Sequence, residues 1–253
     1  MTKILVVANW KMNPGTFREA KKLFEATKSA AEQTRSASVI VAPPAIFLRE
    51  LSGMYRGSKV AFAAQHVHAE SRGAHTGEIS LLQVKDARAR YVLVGHAERR
   101  AMGETDADVQ KKVTAAIALR MTPILCVGEA ERGKGGRYFE IVREQLRMGL
   151  ADVAASNLKQ VLIVYEPLWT IGVKTTMSPS EMHQMAIFVR KCAVDTHGNA
   201  GRGLKILYGG SVDEKNAMAM LRDGDVRGFL VGRASVNAIE FAKLLRAIES
   251  TQV

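Results

Sequence analysis

Eight short apolar runs are strung between longer amphipathic stretches from one end of this chain to the other. The runs fall at 4–8, 38–42, 59–64, 91–94, 122–127, 161–165, 205–208 and 228–231. They are continuously apolar rather than alternating, the pattern of strands buried on both faces in a parallel sheet. The intervening segments 16–33, 45–54, 80–86, 106–118, 138–154, 178–195, 213–221 and 237–249 carry helical periodicity. Ser178-Pro179-Ser180-Glu181 is a helix start: a capping hydroxyl, a proline at the first helical position, and an acid at the third. Eight strand–helix units in 253 residues predict an α/β protein, a single-domain (β/α)8 barrel spanning 1–253. The rival is an open doubly wound sheet, which favours a Gly-x-Gly-x-x-Gly turn after its first strand. Here that turn reads Asn9-Trp10-Lys11-Met12-Asn13, and no linker or charge block marks a second domain.

Polar residues collect where the strands end. The run 161–165 delivers Glu166, and Pro167 follows at once. A carboxylate beside an apolar strand end is expensive to desolvate, which makes it a candidate general base; a strand-end glutamate facing water is the plainer alternative. In a barrel, chemistry sits at the C-terminal strand ends. The first ends in Asn9 and Lys11, the fourth in Gly95-His96-Ala97-Glu98-Arg99, and the fifth in Cys126, Gly128 and Glu129. The seventh ends in Gly209-Gly210-Ser211 and the eighth in Gly232-Arg233. Gly95-His96 opens a helical turn, and a helix N-terminus disfavours imidazolium, so His96 is suited to donate a hydrogen bond as a neutral ring. Glu98 with Arg99 reads as a structural ion pair, and Cys126 as a small buried residue near the site rather than a nucleophile. Glycine turns in units six to eight offer backbone N–H groups for a phosphate. A carboxylate base, a neutral histidine, a lysine and an anion cradle together describe an aldose–ketose isomerase of a small phosphosugar, needing neither metal nor organic cofactor.

The remaining composition narrows the alternatives. The formal charge of +11 suits either nucleic-acid binding or a field that draws in an anionic substrate. Lysines and arginines are dispersed among acids and no nucleic-acid module is recognisable, which favours the substrate. No apolar run reaches the length of a membrane span, and the first residues read as a strand rather than a signal peptide. Two cysteines, Cys126 and Cys192, have no metal-ligand spacing. The expectation is a soluble cytoplasmic protein with no membrane or nucleic-acid partner.

Seven motifs in order, covering essentially the whole chain, resemble the triosephosphate isomerase family. They are Asn9-Trp-Lys-Met-Asn13, Gly73-Ala-His-Thr-Gly-Glu78, Gly95-His-Ala-Glu-Arg-Arg100, Gly103-Glu-Thr-Asp106, Pro123-Ile-Leu-Cys-Val-Gly-Glu129, Tyr165-Glu-Pro-Leu-Trp-Thr-Ile-Gly172 and Tyr208-Gly-Gly-Ser-Val212. The resemblance implies interconversion of dihydroxyacetone phosphate and D-glyceraldehyde 3-phosphate in glycolysis and gluconeogenesis. Glu166 would be the base, His96 the electrophile and Lys11 the electrostatic partner, with Asn9 beside it; Glu98 and Cys126 would be supporting residues. Gly172, Ser211, Gly232 and Arg233 would hold phosphate through backbone N–H groups. Pro167-Leu168-Trp169-Thr170-Ile171-Gly172-Val173-Lys174-Thr175-Thr176-Met177 would be a closing lid that excludes water. The stretch 65–78, with Gln65, His75, Thr76, Gly77 and Glu78, would be a dimer loop, placing Thr76 near the partner's Lys11 and Asn9 and implying a two-fold homodimer.

The resemblance breaks at three points. Ala97 stands where the family usually has a serine whose hydroxyl can hold the base in the open state. The lid reads Ile171-Gly-Val-Lys-Thr175, without a second glycine. Gly232-Arg233 replaces paired glycines, and the arginine side chain could point outward, add charge near the phosphate, or change which substrate fits. Readings held beside the isomerase are a related enzyme of a four-carbon phosphosugar and an inactive binding protein on a barrel scaffold.

Overall fold

The computed structural model describes residues 3–133, 135–170 and 176–250. Among them eight strands close into a parallel barrel in sequence order: β1 (Ile4–Asn9), β2 (Ala37–Ala42), β3 (Val60–Ala64), β4 (Tyr91–Val94), β5 (Thr122–Val127), β6 (Leu162–Tyr165), β7 (Lys205–Tyr208) and β8 (Gly228–Val231). The ring shuts where Leu5 to Ala8 pair with Gly228 to Val231. Outside it run α1 (Phe17–Glu32), α2 (Ala45–Met54), α3 (Leu81–Asp86), α4 (Ala97–Ala101), α5 (Asp106–Ala118), α6 (Arg137–Gly149), α7 (Pro179–His197), α8 (Ala217–Asp223) and α9 (Ala238–Ser250). Four of these start on reciprocal capping boxes led by Thr16, Ser80, Thr105 and Ser178, each satisfying backbone donors that the first helical turn leaves orphaned.

The alternation of side chains along each strand divides the core in two. One set, including Val7, Ile40, Ala63, Leu93, Cys126, Val164, Leu207 and Leu230, packs inside the barrel. The other, including Val6, Val39, Phe62, Val92, Leu125, Ile163, Ile206 and Phe229, packs against the helices. Counting two residues on from the inner set reaches Asn9 after Val7, Glu166 after Val164, Gly209 after Leu207 and Gly232 after Leu230. The candidate site is therefore the top layer of the barrel interior. Glycines in that layer keep it open: a Cβ on Gly209 would lie 2.9 Å from Glu166 Cγ, and one on Gly232 3.3 Å from Lys11 Cε.

Three elements differ from expectation. α6 stops at Gly149 instead of reaching residue 154, because Ala151 and Val153 donate to the carbonyls three residues back and tighten the chain into turns. α8 starts at Ala217 rather than at 213, because the Asp213 carboxylate takes the N–H groups of Lys215 and Asn216. α4, one turn long, follows His96 directly. No helix among the described residues is long and apolar enough to cross a membrane.

Candidate active site

Asn9, Lys11, His96 and Glu166 line a single cavity of about 250 Å³ at the C-terminal mouth of the barrel, together with Ser211, Gly232 and Arg233. Residues drawn from β1, β4, β6, β7 and β8 thus meet at one place, as the strand ends predict.

Glu166 lies just past β6, only 2% exposed. Its backbone N–H donates to Val127 O at 2.8 Å, which continues the β5–β6 ladder and fixes the Cα. The Ala97 backbone N–H donates to Oε2 at 3.1 Å, and His96 Nε2 lies 3.3 Å from Oε1. The carboxylate is thus held by a main-chain donor at a position that offers no side-chain hydroxyl. Burial pushes the Glu166 carboxyl above the ordinary carboxylate range, against the opposing pull of His96, the Ala97 N–H and Lys11.

His96 caps α4. The Glu98 N–H donates to Nδ1 at 3.2 Å. With Nδ1 serving as acceptor, the ring proton belongs on Nε2, which faces Glu166. Asn9 is buried, and its Oδ1 accepts the Lys11 N–H at 3.1 Å while its Nδ2 lies 3.5 Å from His96 Nε2. Lys11 adopts φ 53°, a left-handed conformation that a residue with a Cβ enters at a cost, and Gln65 Nε2 braces it by donating to the Lys11 carbonyl at 2.8 Å.

Lys11 Nζ meets Glu98 Oε1 at 2.5 Å. This corrects the expected Glu98–Arg99 ion pair: neighbours on a helix point about 100° apart, so Glu98 turns to Lys11 while Arg99 turns to His66, 3.4 Å away. Cys126 is fully buried beside Glu166, and burial, reinforced by that carboxylate, drives its thiol well up, as suits a packing residue.

Of the lid, Ile171, Gly172, Val173, Lys174 and Thr175 lie outside the described residues. Pro167, Thr170 and Met177 are buried and Thr176 is exposed. Leu168–Thr170 forms a 3-10 turn in which Thr170 donates through both N–H and hydroxyl to Pro167 O. Its anchor is Glu129, 1% exposed, which sequence reasoning placed at a strand end without a role. Glu129 Oε1 accepts from Tyr165 Oη at 2.7 Å, Trp169 Nε1 at 3.0 Å and Arg132 Nε at 3.3 Å, and Glu129 O accepts the Leu168 N–H at 3.0 Å. Tyr165 has outward parity on β6 while Glu166 faces inward; that alternation was the signal available in the sequence.

In the segment 65–78, Thr76, Gly77 and Glu78 are exposed at its tip. His75 stacks on His68 with ring centroids 3.9 Å apart, and Glu78 contacts His66 at 3.1 Å.

The model of the family described as triosephosphate isomerase matches residues 4–248. A triosephosphate isomerase of Endomicrobium trichonymphae is 38% identical over 97% of this chain and 99% of its own length. One of Delftia acidovorans is 39% identical over 98% and 100%, and one of Granulibacter bethesdensis 39% over 96% and 98%. The chain belongs to the triosephosphate isomerase family. The matched residues take in all eight strands of the barrel. Of the departures from the triosephosphate isomerase family pattern, Arg233 lines the cavity and Ala97 touches Glu166 through its backbone N–H.

Proposed function

We propose that this chain is an aldose–ketose isomerase that interconverts dihydroxyacetone phosphate and D-glyceraldehyde 3-phosphate through an enediolate. The observation that carries the reading is the buried Glu166 carboxylate, its basicity raised by burial, facing the N–H edge of His96 across a cavity that Lys11 also lines. Glu166 takes a proton from the carbon next to the substrate carbonyl and returns it to the neighbouring carbon. The Nε2–H of His96 and the ammonium of Lys11 stabilise charge as it gathers on the oxygens, with Asn9 positioning Lys11. Backbone N–H groups of Gly172, Ser211, Gly232 and Arg233 hold the phosphate, and binding that remote group helps to drive closure of the lid 167–177 over the reacting carbons. The side chains present complete this chemistry without a metal or organic cofactor. The wide positive charge of the chain draws the anionic substrate inward.

The chain works as one domain, in the cytoplasm, as a homodimer. Support for the dimer comes from apolar side chains left in water, Met12 at 93%, Ile46 at 77% and Met102 at 75% exposure, with the exposed tip of 65–78. Light scattering on a sizing column tests it; a monomer at micromolar concentration would remove it.

The test of the activity is the initial rate on D-glyceraldehyde 3-phosphate without added metal, beside Glu166→Gln. Fast turnover that collapses in the variant supports reaction, substrate and base together. Turnover confined to a four-carbon ketose phosphate would keep the mechanism and move the substrate. No turnover on either would overturn the reading.

A further inference from the structure

Among the described residues the cavity wall contains two cations, and they are placed differently. Lys11 is already engaged by Glu98. Arg233 is exposed and makes no hydrogen bond or ion pair with any described residue. It is the first residue of a 3-10 turn, Arg233–Val236, directly after Gly232. That turn is rigid: Ser235 donates through N–H to Gly232 O at 2.8 Å and through its hydroxyl to Gly232 O at 2.7 Å and Asn9 O at 3.2 Å. The base of the arginine is thereby tied to β1 and so to the loop that carries Lys11.

Among the described residues the same wall holds three carboxylates, Glu166, Asp213 and Glu240. Asp213 is spent on the N–H groups of Lys215 and Asn216. None of the three pairs with Arg233 among the described residues, and the arginine lines the cavity with Ser211 and Gly232. A dianionic phosphate entering there meets like charge from these acids, and a cation beside the backbone donors offsets it. A guanidinium presents two parallel N–H groups that match two phosphate oxygens, which a lysine cannot reproduce.

We propose that the Arg233 side chain is a phosphate clamp: it closes on the substrate's phosphate as a two-point cationic donor and makes binding depend on that group's double negative charge. This goes beyond a backbone contact at the same residue, and it rests on the phosphosugar reading above.

The test uses the full chain with inorganic phosphate as the probe, titrated by calorimetry, so that it reads binding without turnover. Arg233→Ala and Arg233→Lys are compared with the parent, with thermal melts to confirm folding. Arg233→Ala should weaken phosphate binding roughly ten- to a hundredfold, the range of a charge-assisted hydrogen-bond pair. Arg233→Lys should fall between. The KM for D-glyceraldehyde 3-phosphate should rise in parallel, more than kcat falls, and the dependence of KM on salt should flatten in Arg233→Ala. Phosphate affinity within twofold of the parent in Arg233→Ala would overturn the clamp, whatever the enzyme turns over. If that variant does not fold, Arg233→Lys decides alone, and affinity equal to the parent's overturns the two-point geometry. A parent that binds phosphate through Arg233 but turns over no triose phosphate would keep the clamp and discard the isomerase.

Discussion

Glu129 stands just beyond β5 and Glu166 just beyond β6, on neighbouring strands, and water scarcely reaches either. Three donors from Tyr165, Trp169 and Arg132 converge on one oxygen of Glu129, while its main-chain oxygen holds Leu168. The Glu166 carboxylate is held by the Ala97 N–H and faces His96, both from the loop after β4, with Cys126 buried beside it and the cavity in front. A buried carboxylate surrounded by donors is fixed, because moving it would strand every one of them. One held from a single side can swing away and exchange a proton. The same side-chain type at equivalent strand ends thus becomes an anchor or a reagent through the number and direction of its partners. Parity assigns which is which: Tyr165 points out to complete the anchor, and the next residue points in.

Four substitutions would break or sharpen that contrast. Glu166→Gln should lower kcat by at least about a thousandfold, toward the upper end of what a lost proton-transfer group costs. Its effect on folding should carry a specific sign. A carboxyl raised in the folded state favours folding when protonated and loses that contribution as pH rises through its folded value. The variant should therefore be at least as stable as the parent at pH 8 and gain nothing at pH 4, read from urea unfolding at both. A large loss of stability at pH 8 would mean that Glu166 is an anchor too.

Glu129→Gln should do the reverse. It removes the charge opposite Arg132 and leaves donors short of an acceptor, costing roughly 2–4 kcal/mol in the same unfolding measurement. Turnover should fall by only about tenfold, since the lid's first turn loosens while the reacting groups stay in place.

Ala97→Pro deletes one backbone donor from Glu166. Proline is tolerated at the first helical position, and His96 at φ −56°, ψ 141° already has the extended conformation that precedes one. That N–H holds the carboxyl down, so its loss should move the acid limb of the kcat/KM profile to higher pH, since a base of higher pKa is protonated sooner as pH falls. An unmoved limb would show that the resting contact does not tune the base.

Trp169→Phe keeps the ring and removes one of three donors to Glu129; a loss of about 1 kcal/mol is expected by urea unfolding. A loss as large as that of Glu129→Gln would place the whole anchor in that one bond.

How far these features could be read in the sequence follows the distance over which each is decided. All eight strands lie within a residue of their expected limits, because doubly buried strands are marked by their own composition. Asn9, Lys11, His96 and Glu166 do meet in one cavity, since strand-end position in a barrel carries that information. The pairing of Glu98 was misread, because its partner lies 87 residues away, across the mouth of the barrel. The convergence on Glu129 had only the outward parity of Tyr165 to mark it, with Tyr165 36 residues off and Trp169 40. The early end of α6 and late start of α8 each turned on a pair of local hydrogen bonds that outcompete a helical pattern.

The perch of Glu166 on the Ala97 N–H has a consequence for how such a chain can change over time. A hydroxyl perch belongs to one codon and is lost with it. A main-chain perch travels with the backbone, and every amino acid except proline supplies it. Position 97 is thereby released to drift, accepting whatever side chain suits its neighbours, while the resting place of the base is inherited unchanged.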